Sequence, residues 1–205
     1  MQKEIGRKRR RSQRSIQTEK ALLDHAKRII SEHGFEHTTT KDIALAAQVA
    51  EGTLFHHFPN KMALLEGLMI DYYERLQASA EEIGRGDLSD SSKLRALLLN
   101  HLERAKQEWG ILRVVAQYGR YGDREFADKF YQLNKNYIRL FVDVIDNLKA
   151  DMQIRRSTPT PLIRDTLFGS MEHFMIGHYN RNRPYDLDKF VDQLLDLVMF
   201  GAGGK

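Results

Sequence analysis

The segment 38–61 has the pattern of two short helices joined by a tight turn, and it constrains the fold more than any other part of the chain. Thr39 and Asp42 have the spacing of a capping box, in which a hydroxyl and a carboxylate satisfy free amides at a helix start. Leu54 and Phe58 lie four residues apart, so they can anchor one side of a second helix. This pattern predicts a helix-turn-helix, whose second helix enters the major groove of DNA.

Residues on the outer side of the predicted second helix are Gly52, Thr53, His56 and His57. Pro59 cannot continue that helix, and Asn60 is a suitable cap for the next one. The helix-turn-helix is therefore expected to end where a longer third helix begins.

From about Thr18 to Leu68 the sequence resembles the DNA-binding domain of the tetracycline-repressor-like (TetR) family of bacterial transcriptional regulators. The segments that carry the resemblance are Ala21-Leu22-Leu23-Asp24, Ile29-Ile30, Glu32-His33-Gly34-Phe35, Asp42-Ile43-Ala44, Gly52-Thr53-Leu54-Phe55-His56-His57-Phe58 and Asn60-Lys61. Residues that the resemblance places at phosphate or sugar are Thr40, Lys41, Phe55, His57 and Lys61. Residues that it places at base edges or the adjacent backbone are Gly52, Thr53 and His56.

Four residues depart from the family pattern. Gln48 stands where the family has a turn glycine, so strain is expected in its backbone. Ala50 replaces a Ser or Thr cap, and Phe55 replaces a Tyr that would bind phosphate. Glu51 is repelled by phosphate unless it accepts a hydrogen bond from a cytosine amine.

The positive charge of the chain is concentrated at its N-terminus. The net charge is +4, yet residues 1–14 alone hold seven basic residues and one acidic residue, whereas residues 15–61 carry a net charge of −1. Phosphate neutralisation supplies much of the affinity of proteins for DNA. We therefore expect residues 1–15 to form a disordered basic arm that tracks the backbone or enters the minor groove with Arg9, Arg10 or Arg11. The alternative is a solvated tail that only improves solubility.

Composition limits the class of protein. A chain of 205 residues with 41% hydrophobic residues and no cysteine can form a real core but no disulfide or cysteine-ligated metal site. The absence of a long apolar run or a secretory signal favours a cytoplasmic protein without membrane contact.

His173 and His178 are candidates for a metal site or for acid–base catalysis, but they lie five residues apart, and this spacing does not stack them on one helix face. We therefore expect no metal, no cofactor and no enzymatic activity.

The sequence after Lys61 predicts only helices, the longest from Arg124 to about Lys149, and contains no strand-like stretch. The fold class is thus all-α. We expect a three-helix helix-turn-helix domain at 16–62 and a C-terminal ligand-binding and dimerisation domain at 63–205, because the resemblance implies both activities.

Aromatic and sulphur-bearing residues are candidates for the wall of a ligand pocket, although such residues at helical spacing also form ordinary cores. These candidates are Trp109, Tyr118, Phe130, Tyr137, Phe141, Met171 and Phe174. Apolar stripes on the last two helices are candidates for a homodimeric four-helix bundle, or alternatively for the core of a single chain. These stripes contain Leu167, Ser170, Met171, Phe174, His178, Leu194, Leu195 and Val198.

Two segments near the C-terminus show a shorter resemblance. Residues 167–171, followed by 185–187, are similar to the acyl-CoA-responsive fatty-acid regulators of the same family. The resulting hypothesis is a repressor that binds operator DNA as a homodimer and is released by a small molecule, for which the candidate is a long apolar or acyl-CoA-like ligand. The alternative is a DNA-bound factor that recruits another protein and has no small-molecule inducer.

Overall fold

The computed structural model describes the backbone of residues 2–181 and 186–201, and the side chains of residues 13–179 and 186–201. Within these ranges the chain forms nine α-helices and no strand, which confirms the predicted all-α class. The helices are α1 (Gln2–His33), α2 (Thr40–Ala46), α3 (Glu51–His57), α4 (Lys61–Arg85), α5 (Asp90–Gln107), α6 (Trp109–Tyr121), α7 (Arg124–Ala150), α8 (Thr160–Arg181) and α9 (Leu187–Phe200).

Side-chain caps fix several of the helix starts. The Asn60 Oδ1 atom accepts a hydrogen bond of 2.8 Å from the Ala63 amide before α4. The Ser89 side chain caps α5 by accepting a hydrogen bond from the Ser92 amide, and the Asp186 side chain caps α9 by accepting one from the Lys189 amide. These short polar side chains satisfy amides that have no partner inside the helix.

One compact unit contains the helix-turn-helix. It consists of Met1–Asp71 and Trp109–Asp128, so α6 belongs to it although α6 is distant in sequence. Gly110 allows α6 to approach α1, because a Cβ atom at this position would lie 2.6 Å from the Ser31 Oγ atom. The core of this unit contains Leu22, Ala26, Ile30, Ile43, Leu54, Leu64 and Leu65.

The second compact unit consists of Tyr72–Glu108 and Lys129–Lys205. Within it α5 packs against α8 and α9. Arg95 on α5 donates hydrogen bonds to Asp188 at 2.8 Å and to Asp192 at 2.6 Å, both on α9. Tyr137 and Phe141 on α7 are among its largest fully buried side chains. None of the described helices has the length and apolar run that crossing a bilayer requires.

The described architecture differs from the predicted domain limits in two respects. Helix α1 begins at Gln2, whereas we expected residues 1–15 to be disordered. Arg and Lys are good helix formers, and adding turns to an existing helix is easier than starting one, so the basic segment extends α1. The limit between the units falls after Asp71 rather than at residue 62, because the first part of α4 shares the core of the helix-turn-helix.

Candidate nucleic-acid interface

The start of α2 is held by the predicted capping box. The Thr39 hydroxyl oxygen accepts a hydrogen bond of 3.1 Å from the Asp42 amide, and the Asp42 carboxylate accepts one of 3.1 Å from the Thr39 amide. The Thr39 hydroxyl also donates to the Asp42 carboxylate at 2.6 Å. Because these bonds favour the ionised carboxylate, they lower the pKa of Asp42.

The turn after α2 has the hydrogen bonds of a Schellman motif. The Val49 amide donates to the Ala44 carbonyl at 3.0 Å, and the Gln48 amide donates to the Leu45 carbonyl at 3.1 Å. The motif requires a left-handed residue, and Gln48 occupies that position with a φ of 55°. The strain predicted from the missing glycine is therefore present, because a side chain with a Cβ atom disfavours this conformation.

Helix α3 is anchored on one side and open on the other. Leu54 is fully buried, whereas Gly52 and His56 are exposed and 43% of the Phe55 surface is accessible. Ala50 precedes the helix without a side-chain cap, as its residue type predicts. A Cβ atom added at Gly52 would meet nothing within 4 Å, so no packing within the chain requires a glycine here.

The first residues of α2 and α3 are joined by a hydrogen bond. The Thr40 hydroxyl donates to the Glu51 Oε1 atom at 2.8 Å. Thr40 was expected to contact phosphate, but its only hydroxyl proton is used in this bond. The Thr40 oxygen cannot donate to a phosphate while the bond persists, whereas Lys41 beside it is exposed.

Two predicted phosphate contacts are turned towards the protein. The His57 Nδ1 atom lies 3.7 Å from the Glu19 carboxylate of α1, and the side chain is only 8% exposed. The Lys61 ammonium lies 4.3 Å above the Phe35 ring and donates to the Glu36 carbonyl at 3.4 Å. The geometry thus brings Lys41, Gly52, Phe55 and His56 to the accessible surface and does not bring His57 there. Arg9, Arg10 and Arg11 lie outside the residues with described side chains.

The predicted pocket residues separate into two groups. Trp109 and Tyr118 lie on α6, in the unit of the helix-turn-helix. The Tyr118 hydroxyl donates to the Glu36 carboxylate, which raises the pKa of Tyr118. Tyr118 also makes an edge contact with Phe35, with 5.2 Å between ring centroids. Tyr118 therefore supports the unit of the helix-turn-helix, whereas the second unit contains Phe130, Tyr137, Phe141, Met171 and Phe174.

The predicted dimer stripes contribute mainly to the core of the single chain. Leu167, Met171, Phe174, Leu194 and Leu195 are all buried, and Phe174 stacks on Phe190 with ring centroids 3.8 Å apart. Ser170, His178 and Val198 are half-buried. These stripes face neighbouring helices because α8 and α9 need them to pack against α5 and each other. The exposed large apolar residues of these two helices are instead Leu162, Ile176, Leu197 and Phe200.

Sequence reasoning missed Glu19, Glu36 and the acceptor role of Glu51 towards Thr40. Glu19 and Glu36 meet partners far away in the sequence, and no local pattern marks such pairs.

The second unit also has a surface cleft of about 340 Å³ between α4, α5 and α7, lined by both acidic and basic side chains. No group of three His, Asp or Glu residues within the described part of the chain could hold a metal ion.

Comparison with known proteins gives two family matches that together span most of the chain. Residues 22–68 match the profile of bacterial regulatory proteins of the tetR family, and residues 71–201 match the C-terminal region of YsiA-like proteins. A fatty acid metabolism regulator protein of Bacillus subtilis is 22% identical over 184 residues, which cover 90% of this chain and 95% of the relative. The transcriptional repressor KstR2 of Mycolicibacterium smegmatis is 25% identical over 185 residues, covering 88% of each chain.

Two solved structures share the fold. The fatty acid degradation regulator FadR of Bacillus halodurans superposes with a TM-score of 0.78 at 24% identity, covering 90% of this chain and 99% of the other. FadR of Bacillus subtilis in complex with stearoyl-CoA gives a TM-score of 0.79 at 22% identity, covering 89% and 98%. The chain therefore shares its all-α fold with these two structures.

Proposed function

The chain belongs to the tetR family of bacterial regulatory proteins, and we propose that it is a transcriptional repressor released from its operator by a small molecule. The N-terminal unit reads the operator through the accessible side of α3. The second unit binds the effector and pairs with a second copy of the chain. This arrangement assigns the two activities to separate parts of the chain.

The observation that carries the DNA-binding role is the exposed glycine in α3. A glycine within a helix costs roughly 0.5–1 kcal/mol relative to alanine, and nothing in the chain requires one at Gly52. A close approach of another molecule explains the glycine, and the sugar-phosphate backbone of DNA fits this exposed side of α3, whose first residue is hydrogen-bonded to the start of α2 beside the exposed Lys41. Thr53 and His56 are the proposed base-reading residues, because they lie beside Gly52 on the same short helix.

Electrostatic attraction in this proposal comes mainly from the N-terminal segment. Residues 1–14 carry a net charge of +6, whereas Glu51 places a carboxylate at the start of α3. We assign Arg9, Arg10 and Arg11 to phosphate or minor-groove contacts, since bound phosphates would offset the charge repulsion of this segment. Lys41 adds a cation at the start of α2.

Effector release follows from how the chain connects the two units. Helix α4 runs without a break from the helix-turn-helix unit into the second unit, and the α5–α6 junction crosses between the same units. Helix α7 makes a third crossing, after Asp128. A ligand that favours a different arrangement of the second unit can therefore change the position of α3 through three covalent connections. A relative of similar fold binds stearoyl-CoA, which supports a long apolar effector for this chain.

We further propose that the repressor is a cytoplasmic homodimer without catalytic activity. Operators read by this motif contain two half-sites about one helical turn apart, so two copies of α3 are needed. Leu162 and Ile176 on α8 and Leu197 and Phe200 on α9 provide exposed apolar area for the pairing. The named relatives are regulators, and this supports a non-enzymatic role.

The test is selection of operator DNA from a random duplex pool, followed by a screen for metabolites that release it. We expect enrichment of a sequence with two-fold symmetry, and release by at least one apolar metabolite that binds the protein. A pool that shows no enrichment after repeated rounds would contradict the DNA-reading role. Bound metabolites that never alter DNA affinity would contradict the release mechanism alone.

A further inference from the structure

One acidic residue of the second unit is buried. Glu108 is 8% exposed, and it is the only buried Asp, Glu, Lys or Arg residue among those whose side chains the structure describes. It is also the single residue between α5, which ends at Gln107, and α6, which begins at Trp109. Taking a carboxylate out of water is costly, so a carboxylate in this place needs a partner.

Arg75 on α4 is that partner. Its Nη2 atom donates to the Glu108 Oε2 atom at 2.8 Å, and its Nη1 atom donates to Oε1, so two parallel hydrogen bonds join the guanidinium to the carboxylate. A two-bond pair of this kind fixes the orientation of both side chains as well as their distance. The Arg75–Glu108 pair therefore holds α4 and the end of α5 in one arrangement within the second unit.

The pair lies where the chain passes from one unit to the other. The limit in α4 falls after Asp71, about one helical turn before Arg75, and the next limit falls directly after Glu108. Two of the three covalent connections are thus joined to each other at their ends in the second unit. The end of α5 is also held from α8, because the Tyr179 hydroxyl donates to the Lys106 carbonyl.

Stability alone is a weak reason for such a pair. Replacing a buried ion pair by apolar side chains of similar volume is often neutral or even stabilising. Apolar side chains cannot supply the fixed geometry of two parallel hydrogen bonds. A role in orientation therefore explains the pair better than a role in stability, and the elements that it orients are α4 and the residue from which α6 starts.

We propose that Arg75 and Glu108 are positioning residues for operator binding, because they fix the two connections on which the spacing of the paired α3 helices depends. Neither residue belongs to the unit that contains α3, so each acts through the connections. Two half-sites must be engaged at the same time, and the gain from the second half-site is lost when the geometry forbids this. This inference rests on the proposed reading of an operator by two copies of the chain.

The test compares a full operator with a half-site duplex. The full operator is the duplex that the wild type selects from the random pool, and the half-site duplex has one of its two half-sites scrambled. Arg75→Met combined with Glu108→Leu replaces the pair by apolar side chains, whereas Arg75→Lys keeps the charge and loses the two-bond geometry. The matched control is the exposed pair of Arg85 and Glu81 on α4, changed to Met and Leu in the same way.

We expect fluorescence anisotropy to show a loss of affinity for the full operator only. The loss should be at least about tenfold for the double variant and at least about threefold for Arg75→Lys. The half-site duplex should bind both variants as it binds the wild type, which also shows that the helix-turn-helix is folded. The control should match the wild type on both duplexes.

Two results would overturn the proposal while leaving the proposed function intact. They are an unchanged affinity of both variants for the full operator, and an equal loss of affinity for the two duplexes, since a purely structural pair predicts one or the other. A wild type that binds the two duplexes equally would contradict the proposed reading by two copies of α3, and this inference would fall with it.

Discussion

The Thr40 hydroxyl donates a 2.8 Å hydrogen bond to the Glu51 carboxylate and thereby ties the first residue of α2 to the first residue of α3. The bond orients a negative charge at the end of the helix that we propose to enter the major groove. It also withdraws Thr40 as a phosphate donor. We therefore expect selectivity between DNA sequences to come partly from repulsion. The Glu51 carboxylate disfavours contacts with phosphate and with acceptor atoms of the bases, and it favours a contact with a donor such as the cytosine amine.

Neutralising Glu51 should increase affinity for DNA of unrelated sequence. Glu51→Gln keeps an acceptor for Thr40 but removes the charge, so binding to non-operator duplex at low ionic strength should become about three- to tenfold tighter. Fluorescence anisotropy with labelled duplex measures this change. Glu82→Gln, at an exposed position of α4 in the second unit, is the control and should bind as the wild type does. Equal affinities for all three proteins would show that Glu51 lies away from the DNA.

Replacing Gln48 by glycine should stabilise the protein. Gln48 has a left-handed backbone, which costs a non-glycine residue about 1–2 kcal/mol, whereas glycine loses about 0.5–1 kcal/mol in chain entropy. The expected net gain in the free energy of unfolding is about 0.5–1 kcal/mol, measured by urea denaturation. Met152→Gly tests the same conformation, at a φ of 58°, in the other unit. A loss of stability in Gln48→Gly would mean that the Gln48 side chain contributes contacts that outweigh the strain.

His101 should make the stability of the protein depend on pH in the weakly acidic range. Burial lowers the pKa of His101 in the folded protein to about 4, from the usual 6.5, so the unfolded chain binds more protons between these two values. Above about pH 6.5 the free energy of unfolding is at its full value, because His101 is neutral in both the folded and the unfolded chain. As the pH falls towards 4, the free energy of unfolding decreases by an amount on the order of 3 kcal/mol. Urea denaturation at pH 7.5, 6 and 5 measures this loss. His101→Gln cannot titrate, and it should show a flatter dependence on pH than the wild type.

Dimerisation should depend on the exposed apolar residues of the last two helices. Ile176→Glu or Leu197→Glu places a charge on the proposed interface, so each should shift the protein towards the monomer in sedimentation velocity. Leu88→Glu, an exposed apolar position before α5, is the control and should leave the mass unchanged. A dimer that withstands both interface substitutions would assign the pairing to another surface.

Local signals in the sequence predicted the helices well. The capping pair Thr39 and Asp42, the cap Asn60 and the missing cap at Ala50 all have the structural roles expected from their residue types. Such signals act over three or four residues, so they are visible without the fold. The strained turn at Gln48 was predictable for the same reason.

Contacts between distant elements were not predictable in this way. His57 follows His56 on α3, and the sequence placed both on the outer side, but Glu19 of α1 lies beside His57. The periodicity of Leu167 and Met171 correctly marked a buried stripe without showing which helix covers it. Tyr118 was a reasonable pocket candidate by residue type, yet its hydroxyl bonds to Glu36, 82 positions away. In each case the partner depends on how helices pack, and helical spacing alone contains no information on that packing.

The central claim is that the accessible side of α3 approaches operator DNA closely, and one pair of variants tests it most directly. Gly52→Ala and Gly84→Ala each add a methyl group to a helix where nothing lies within 4 Å, so both should raise the Tm slightly. The measurement is the anisotropy of each variant with the operator duplex selected by the wild type. We predict that Gly52→Ala weakens operator binding at least about tenfold while Gly84→Ala leaves it unchanged. Gly52→Ala that binds the operator as tightly as the wild type would contradict the claim.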